Sequence, residues 1–178
     1  MEDRILKLVR GKQLLAPADL EIPKVIIPSK IIKETKKQLL SFSRGKEHFE
    51  GVVYWVGKET PQGFLVTEVV APRAMMTPVS FRVAAEENAR IMTELVKKGE
   101  QIIAQVHSHP PGADLNHRLT EEEMGFLPFE GLVSIVVGDY GTEGLLPLSE
   151  KTAVFLFKKG DFDKLPVGEI KSHFVVTS

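Results

Sequence analysis

The chain has 178 residues, 43% of them hydrophobic and 26% charged, which suits one globular domain and excludes a fibrous repeat or wholesale disorder. Its 23 basic and 24 acidic residues leave a net charge of -1 with no basic stripe, so nucleic acid is not an expected partner. With no cysteine, disulfides, thiolate nucleophiles and Cys-type zinc sites are excluded together, and a tightly held metal has to rely on His and carboxylate ligands.

The opening Met1-Glu2-Asp3-Arg4 lacks the basic-then-apolar order of a signal peptide. No apolar run reaches the roughly 18 residues of a membrane span, so the expectation is a cytoplasmic protein without membrane contact. Pro23 and Pro28 bound the short apolar run Val25-Ile26-Ile27, which reads as an extended lead-in. Ser29 then stands ahead of Ile31, Ile32, Thr35, Leu39 and Leu40, a helical spacing that predicts a helix over 29–42 with the serine as its N-cap. Ser43-Arg44-Gly45-Lys46 breaks it. The segment 51–57, GVVYWVG, is apolar on both alternating faces and predicts a central strand. After a turn at 60–63, residues 64–70 predict its hairpin partner.

Apolar positions 85, 89, 92, 95 and 96 predict a helix over 84–98 closed by Lys97, Lys98 and Gly99. The strand 101–106 delivers the chain into His107-Ser108-His109-Pro110. Thr120 with Glu123 three residues on predicts a capped helix start after a Pro- and Gly-containing loop. Residues 131–137 read as a buried strand, 138–141 as a turn, and 152–157 and 174–177 as strands completing the sheet.

The chemistry concentrates at His107 and His109. Side chains two apart in an extended segment point the same way, so two imidazoles can share one ion, and Pro110 keeps His109 extended. Catalytic zinc needs a third protein ligand and an open position for water, for which Asp114, Glu121, Glu122 and Glu123 are candidates. A His-x-His pair also arises by chance, and a lone loop histidine such as His48, His117 or His173 is more often simply solvated. Asp114 and Tyr140 read most simply as turn residues.

The order of an acid before GVVYWVG, then AQVHSHPPG, then a Thr-acidic helix start, then GLVSIVVGDYG resembles the JAMM/MPN (JAB, Mov34/PAD-1) metalloproteases, in their prokaryotic branch, over about residues 30–157. The resemblance implies an α/β fold, a single mixed twisted sheet flanked by helices. Its sheet order is related to that of the cytidine deaminases, whose Cys ligands this chain lacks. The expected organisation is an extension over 1–28, the metalloprotease-like domain over 29–157, and a strand and tail of that domain over 158–178.

The family's catalytic glutamate stands seven residues before the glycine closing its strand, which implies Glu50, with Glu47 as the fallback. The family's later Ser and Asp are not kept. Strict counting from His109 places His117 and Thr120 there, whereas one extra loop residue at Pro110-Pro111-Gly112 places Arg118 and Glu121, a register that keeps a carboxylate ligand. The resemblance thus implies zinc on His107, His109 and Glu121, with Glu50 as base and Ser108 or Arg118 assisting, and His117 or Asp114 as other possible third ligands. It implies peptidase or isopeptidase action beside the C-terminal glycine of a ubiquitin-like protein, with an E1- or E2-like partner. Cleavage of small amides, or a non-catalytic scaffold of the same fold, is the alternative.

Overall fold

The computed structural model describes residues 22–43, 47–116, 125–126, 128–142, 144–145 and 152–178. The expected helix start at 120–123, and with it Arg118, Glu121 and His117, lies outside the described residues. In chain order the elements are β1 (Val25–Pro28), α1 (Ser29–Ser41), β2 (Val52–Thr60), β3 (Gly63–Val70), β4 (Ala74–Thr77), β5 (Ser80–Val83), α2 (Ala85–Lys98) and β6 (Gln101–Ser108). There follow β7 (Val133–Val137), a short 3-10 turn (Asp139–Gly141), β8 (Thr152–Lys158), β9 (Asp161–Lys164), α3 (Val167–His173) and β10 (Phe174–Thr177).

Eight strands of the described residues form one mixed sheet in the order β10-β1-β3-β2-β6-β7-β8-β9, with β4 and β5 as a separate hairpin. β2 runs through the middle, antiparallel to β3 on one side and to β6 on the other. Its two-sided apolarity follows from that place: Val53 and Trp55 face one core with Ile31 and Leu39 of α1 and Ile170 of α3. Val52, Tyr54 and Val56 face a second core with Ile91 and Leu95 of α2 and Phe81 and Val83 of β5. The expected α/β architecture, one sheet between helices, is what the chain adopts.

Several local expectations are corrected. The lead-in at 25–27 is a strand of the sheet, paired in parallel with both β10 and β3. Four residues between prolines are too few to show an alternation, which is why the strand did not stand out. Ser29 is the first residue of α1 rather than its cap: Pro28, at ψ 139°, holds the capping position, and no side chain caps the helix. Proline's fixed φ suits the entry to a helix.

The buried face of α2 is rotated from the one its apolar residues suggested. Glu87, Asn88, Ile91 and Leu95 are buried, whereas Val96 is 75% exposed. Two polar residues can face the core because each is matched. The Tyr54 hydroxyl donates to Asn88 Oδ1 at 2.8 Å, and Glu87 accepts from the Arg73 and Arg90 guanidiniums at 3.0 and 2.8 Å. The hydrogen bonds from Arg90, working against the cost of burial and joined by those of Arg73, hold the Glu87 carboxyl far below the usual carboxylate range. At the far end Gly99 takes the left-handed conformation (φ 66°) that ends the helix, as its sequence predicted. The β4–β5 hairpin, the strand β9 and the helix α3 were not read from the sequence.

Candidate metal centre

β6 continues past residue 106 to carry His107 and Ser108 as strand residues, and both histidines are buried: His107 is 1% exposed and His109 5%. Phe81 of the β4–β5 hairpin packs on His107, with ring centroids 5.3 Å apart. The two imidazoles turn toward each other, with Nε2 of His107 3.2 Å from Nε2 of His109. The Nδ1–H of His109 is directed at the Asp114 carbonyl, 3.1 Å away, which places the lone pair of that ring on Nε2, the atom facing His107.

The donor set fits zinc. Two imidazole nitrogens at about 2.0–2.1 Å from one tetrahedral ion stand roughly 3.3 Å apart. The observed 3.2 Å separation is close to that, and in a chain without cysteine it comes from the strongest metal ligands present. Among the described residues no group of three His or carboxylate side chains is arranged to hold an ion.

Glu50 stands two residues before β2. Val52 pairs with His107, and continuing that antiparallel register two steps sets Glu50 opposite His109. Paired residues project to one side of a sheet, so a register continued in this way would bring Glu50 to the face of the two histidines. Glu50 is 4% exposed, and its N–H is held by the Thr77 carbonyl at 2.9 Å. The fallback residue Glu47 is exposed.

Ser108 is not brought to that face. It lies between the two histidines in the strand and therefore projects to the opposite side, where its Oγ accepts the Gly51 N–H at 3.0 Å. Ser108 N–H in turn donates to the Gly51 carbonyl at 3.0 Å. The hydroxyl thus replaces its own carbonyl as acceptor at the end of the β2–β6 ladder, one residue from Glu50. Gly51 is required there, because a Cβ would stand 2.1 Å from the Phe42 ring. The carboxylate of Asp114 closes a local turn by accepting from both Asn116 nitrogens at 2.8 and 2.7 Å, and its backbone carbonyl is the atom aimed at His109.

Sequence reasoning missed two parts of the site. The packing of Phe81 on His107 is one: the turn at Pro78-Val79 between two short segments was the available signal. Tyr140, read as a turn residue, is the other. Its N–H donates to the His109 carbonyl at 2.8 Å while His109 N–H donates to the Val137 carbonyl at 2.8 Å, so the turn after β7 grips His109 from both sides.

Fold and site together describe a class: an α/β domain with a buried histidine pair at the end of one central strand and a buried glutamate just before the strand that pairs with it. Compared with known proteins, the chain is 28% identical over 162 residues to the probable metalloprotease y4jG of Sinorhizobium fredii, covering 89% of this chain and 97% of that protein. The metalloprotease character that the His-Ser-His-Pro segment implied is in keeping with this relative, which the chain matches nearly end to end. No family model matches the chain. The solution structure of protein DSY2949 from Desulfitobacterium hafniense shares the fold, with TM-score 0.57 and 16% identity over 86% of this chain and 93% of that one. A JAB1/MPN domain protein of Archaeoglobus fulgidus, AF2198, superposes more loosely, with TM-score 0.43 and 14% identity over 86% and 98% of the two chains.

Proposed function

We propose that this chain is a zinc-dependent metallopeptidase of JAMM type that cleaves an amide or isopeptide bond, with a peptide or protein ending in a ubiquitin-like C-terminal glycine as substrate. The observation that carries the reading is the approach of two buried imidazole nitrogens to 3.2 Å, with the buried Glu50 two residues before Val52, the partner of His107. The metalloprotease relative supports the reaction class.

His107 and His109 are the nitrogen ligands, and Glu121 is assigned as the carboxylate that completes the set. Zinc, when bound, supplies Lewis acidity toward a carbonyl and acidifies a water molecule from a pKa of 15.7 to about 7. Glu50 takes the proton of the attacking water and returns it to the leaving amine, the double duty of a general base and acid. Arg118 is assigned to the developing oxyanion, the role the family's missing serine would fill. Ser108, engaged with Gly51 on the opposite face, acts instead by holding the strand end that carries Glu50.

The reading is tested by hydrolysis of a ubiquitin-like fusion with zinc bound. Turnover in the wild type that is lost in His109→Ala and in Glu50→Gln supports it. A wild type as inactive as His109→Ala leaves the scaffold alternative. Among the described residues no helix is long and apolar enough to cross a membrane.

A further inference from the structure

Tyr140 occupies a backbone conformation that its side chain does not favour. At φ 53° and ψ 26° it is left-handed, and Asp139 before it also has φ 53°. Neither is a glycine, although glycines stand on both sides of the pair and the chain uses glycine at positive φ elsewhere, as at Gly99 and Gly141. A residue retained against that steric preference calls for a role for its side chain.

The side chain makes two contacts, one to each of two separate segments. Its ring stacks on His48 with centroids 5.2 Å apart and planes inclined by 21°. Its hydroxyl donates to the Pro78 carbonyl at 3.1 Å. His48 stands two residues before Glu50, and Pro78 one residue after Thr77. Glu50 and Thr77 are themselves joined by the 2.9 Å bond from the Glu50 N–H to the Thr77 carbonyl. Tyr140 therefore braces both sides of a hydrogen bond that holds the Glu50 backbone, while its own N–H fixes His109. Glu47, His48, Phe49, Pro78 and Tyr140 line a cleft of about 430 Å³, so the brace stands at an open surface beside the buried pair.

We infer that Tyr140 is a positioning residue, clamping the His48–Glu50 lead-in and the Thr77–Pro78 turn to the turn that grips His109 and so fixing Glu50 relative to the histidine pair. The kinetic consequence rests on the proposed role of Glu50 as base; the structural consequence does not.

Amide hydrogen exchange of the intact chain tests the clamp directly. Tyr140→Gly relieves the left-handed strain, so the fold is retained while the brace is removed. The Glu50 amide is expected to exchange at least tenfold faster than in the wild type, with the Tyr54 amide in the middle of β2 unchanged. Tyr140→Phe, which keeps the stack, should restore most of the protection. Should Tyr140→Gly not fold, His48→Ala removes the stack from the other side and is read in the same way. Glu50 exchange at the wild-type rate in the variant that folds overturns the inference. Where the wild type turns over a ubiquitin-like fusion, Tyr140→Gly should lower kcat at least tenfold with KM and zinc content unchanged, and an unchanged kcat would also overturn it. A wild type without turnover counts against the proposed function, and the exchange rates still decide the role of Tyr140.

Discussion

Ser108 and Gly51 hold each other through two hydrogen bonds, one from the Ser108 N–H to the Gly51 carbonyl and one from the Gly51 N–H to the Ser108 hydroxyl, each 3.0 Å long. The serine between the two histidines is thus a fastener of the strands that carry them, on the face away from the pair.

Ser108→Ala leaves the buried Gly51 N–H without that acceptor and should destabilise the fold by about 1–3 kcal/mol. Urea denaturation measures it. Zinc binding should survive, because neither imidazole loses a contact. A variant of wild-type stability would show that the hydroxyl is not needed at the end of the ladder.

Gly51→Ala places a methyl carbon 2.1 Å from the Phe42 ring, so either the ring or the Glu50 segment has to move. Overpacking of this kind costs about 1–3 kcal/mol. The double variant with Phe42→Ala makes room, and its stability should lie closer to that of Phe42→Ala alone than independent losses would give. Strict additivity in the cycle would contradict the contact.

Trp55 is the single tryptophan of the chain and reports on the opposite core. Its indole N–H donates to Thr35 Oγ1 at 2.8 Å, and that hydroxyl donates to the Ile31 carbonyl at 2.7 Å. Thr35→Val keeps the shape and removes the acceptor, so the loss should be about 1–3 kcal/mol with an altered emission maximum of the folded protein. Unchanged emission and stability together would mean that the indole has another partner.

Glu87 sets an acid limit on stability. Folding lowers its pKa, so in the acid range the folded protein binds fewer protons than the unfolded chain. The stabilisation is complete above the ordinary glutamate value of about 4.3 and is lost as pH falls below it. Glu87→Gln should be less stable than the wild type at pH 7, and the gap should narrow as pH drops below about 4.3. Denaturation curves at several pH values measure the gap; one that is constant with pH would remove the ion pairs from the account.

The parts of the fold legible in the sequence are those in which one residue pattern admits one reading. β2 was apolar on both faces because it lies in the middle of the sheet, and α2 ended where Gly99 allowed. What was not legible depended on partners distant in sequence. The buried face of α2 could not be read from apolar spacing because Glu87 and Asn88 are made compatible with the core by Arg73, Arg90 and Tyr54. β1 is four residues long and takes its identity from β3 and β10, which lie far along the chain. At the site, the histidine pair was legible because alternation in a strand fixes the side chains of His107 and His109. The same alternation turns Ser108 away, and a motif read only as a string of residues does not show that.

Zinc stoichiometry and affinity of the purified protein test the central claim most directly. The wild type should bind one zinc per chain, with His109→Ala and Glu121→Ala each weakening the affinity at least tenfold. A wild type that takes up no zinc, or a His109→Ala variant that binds it as tightly, would contradict the account.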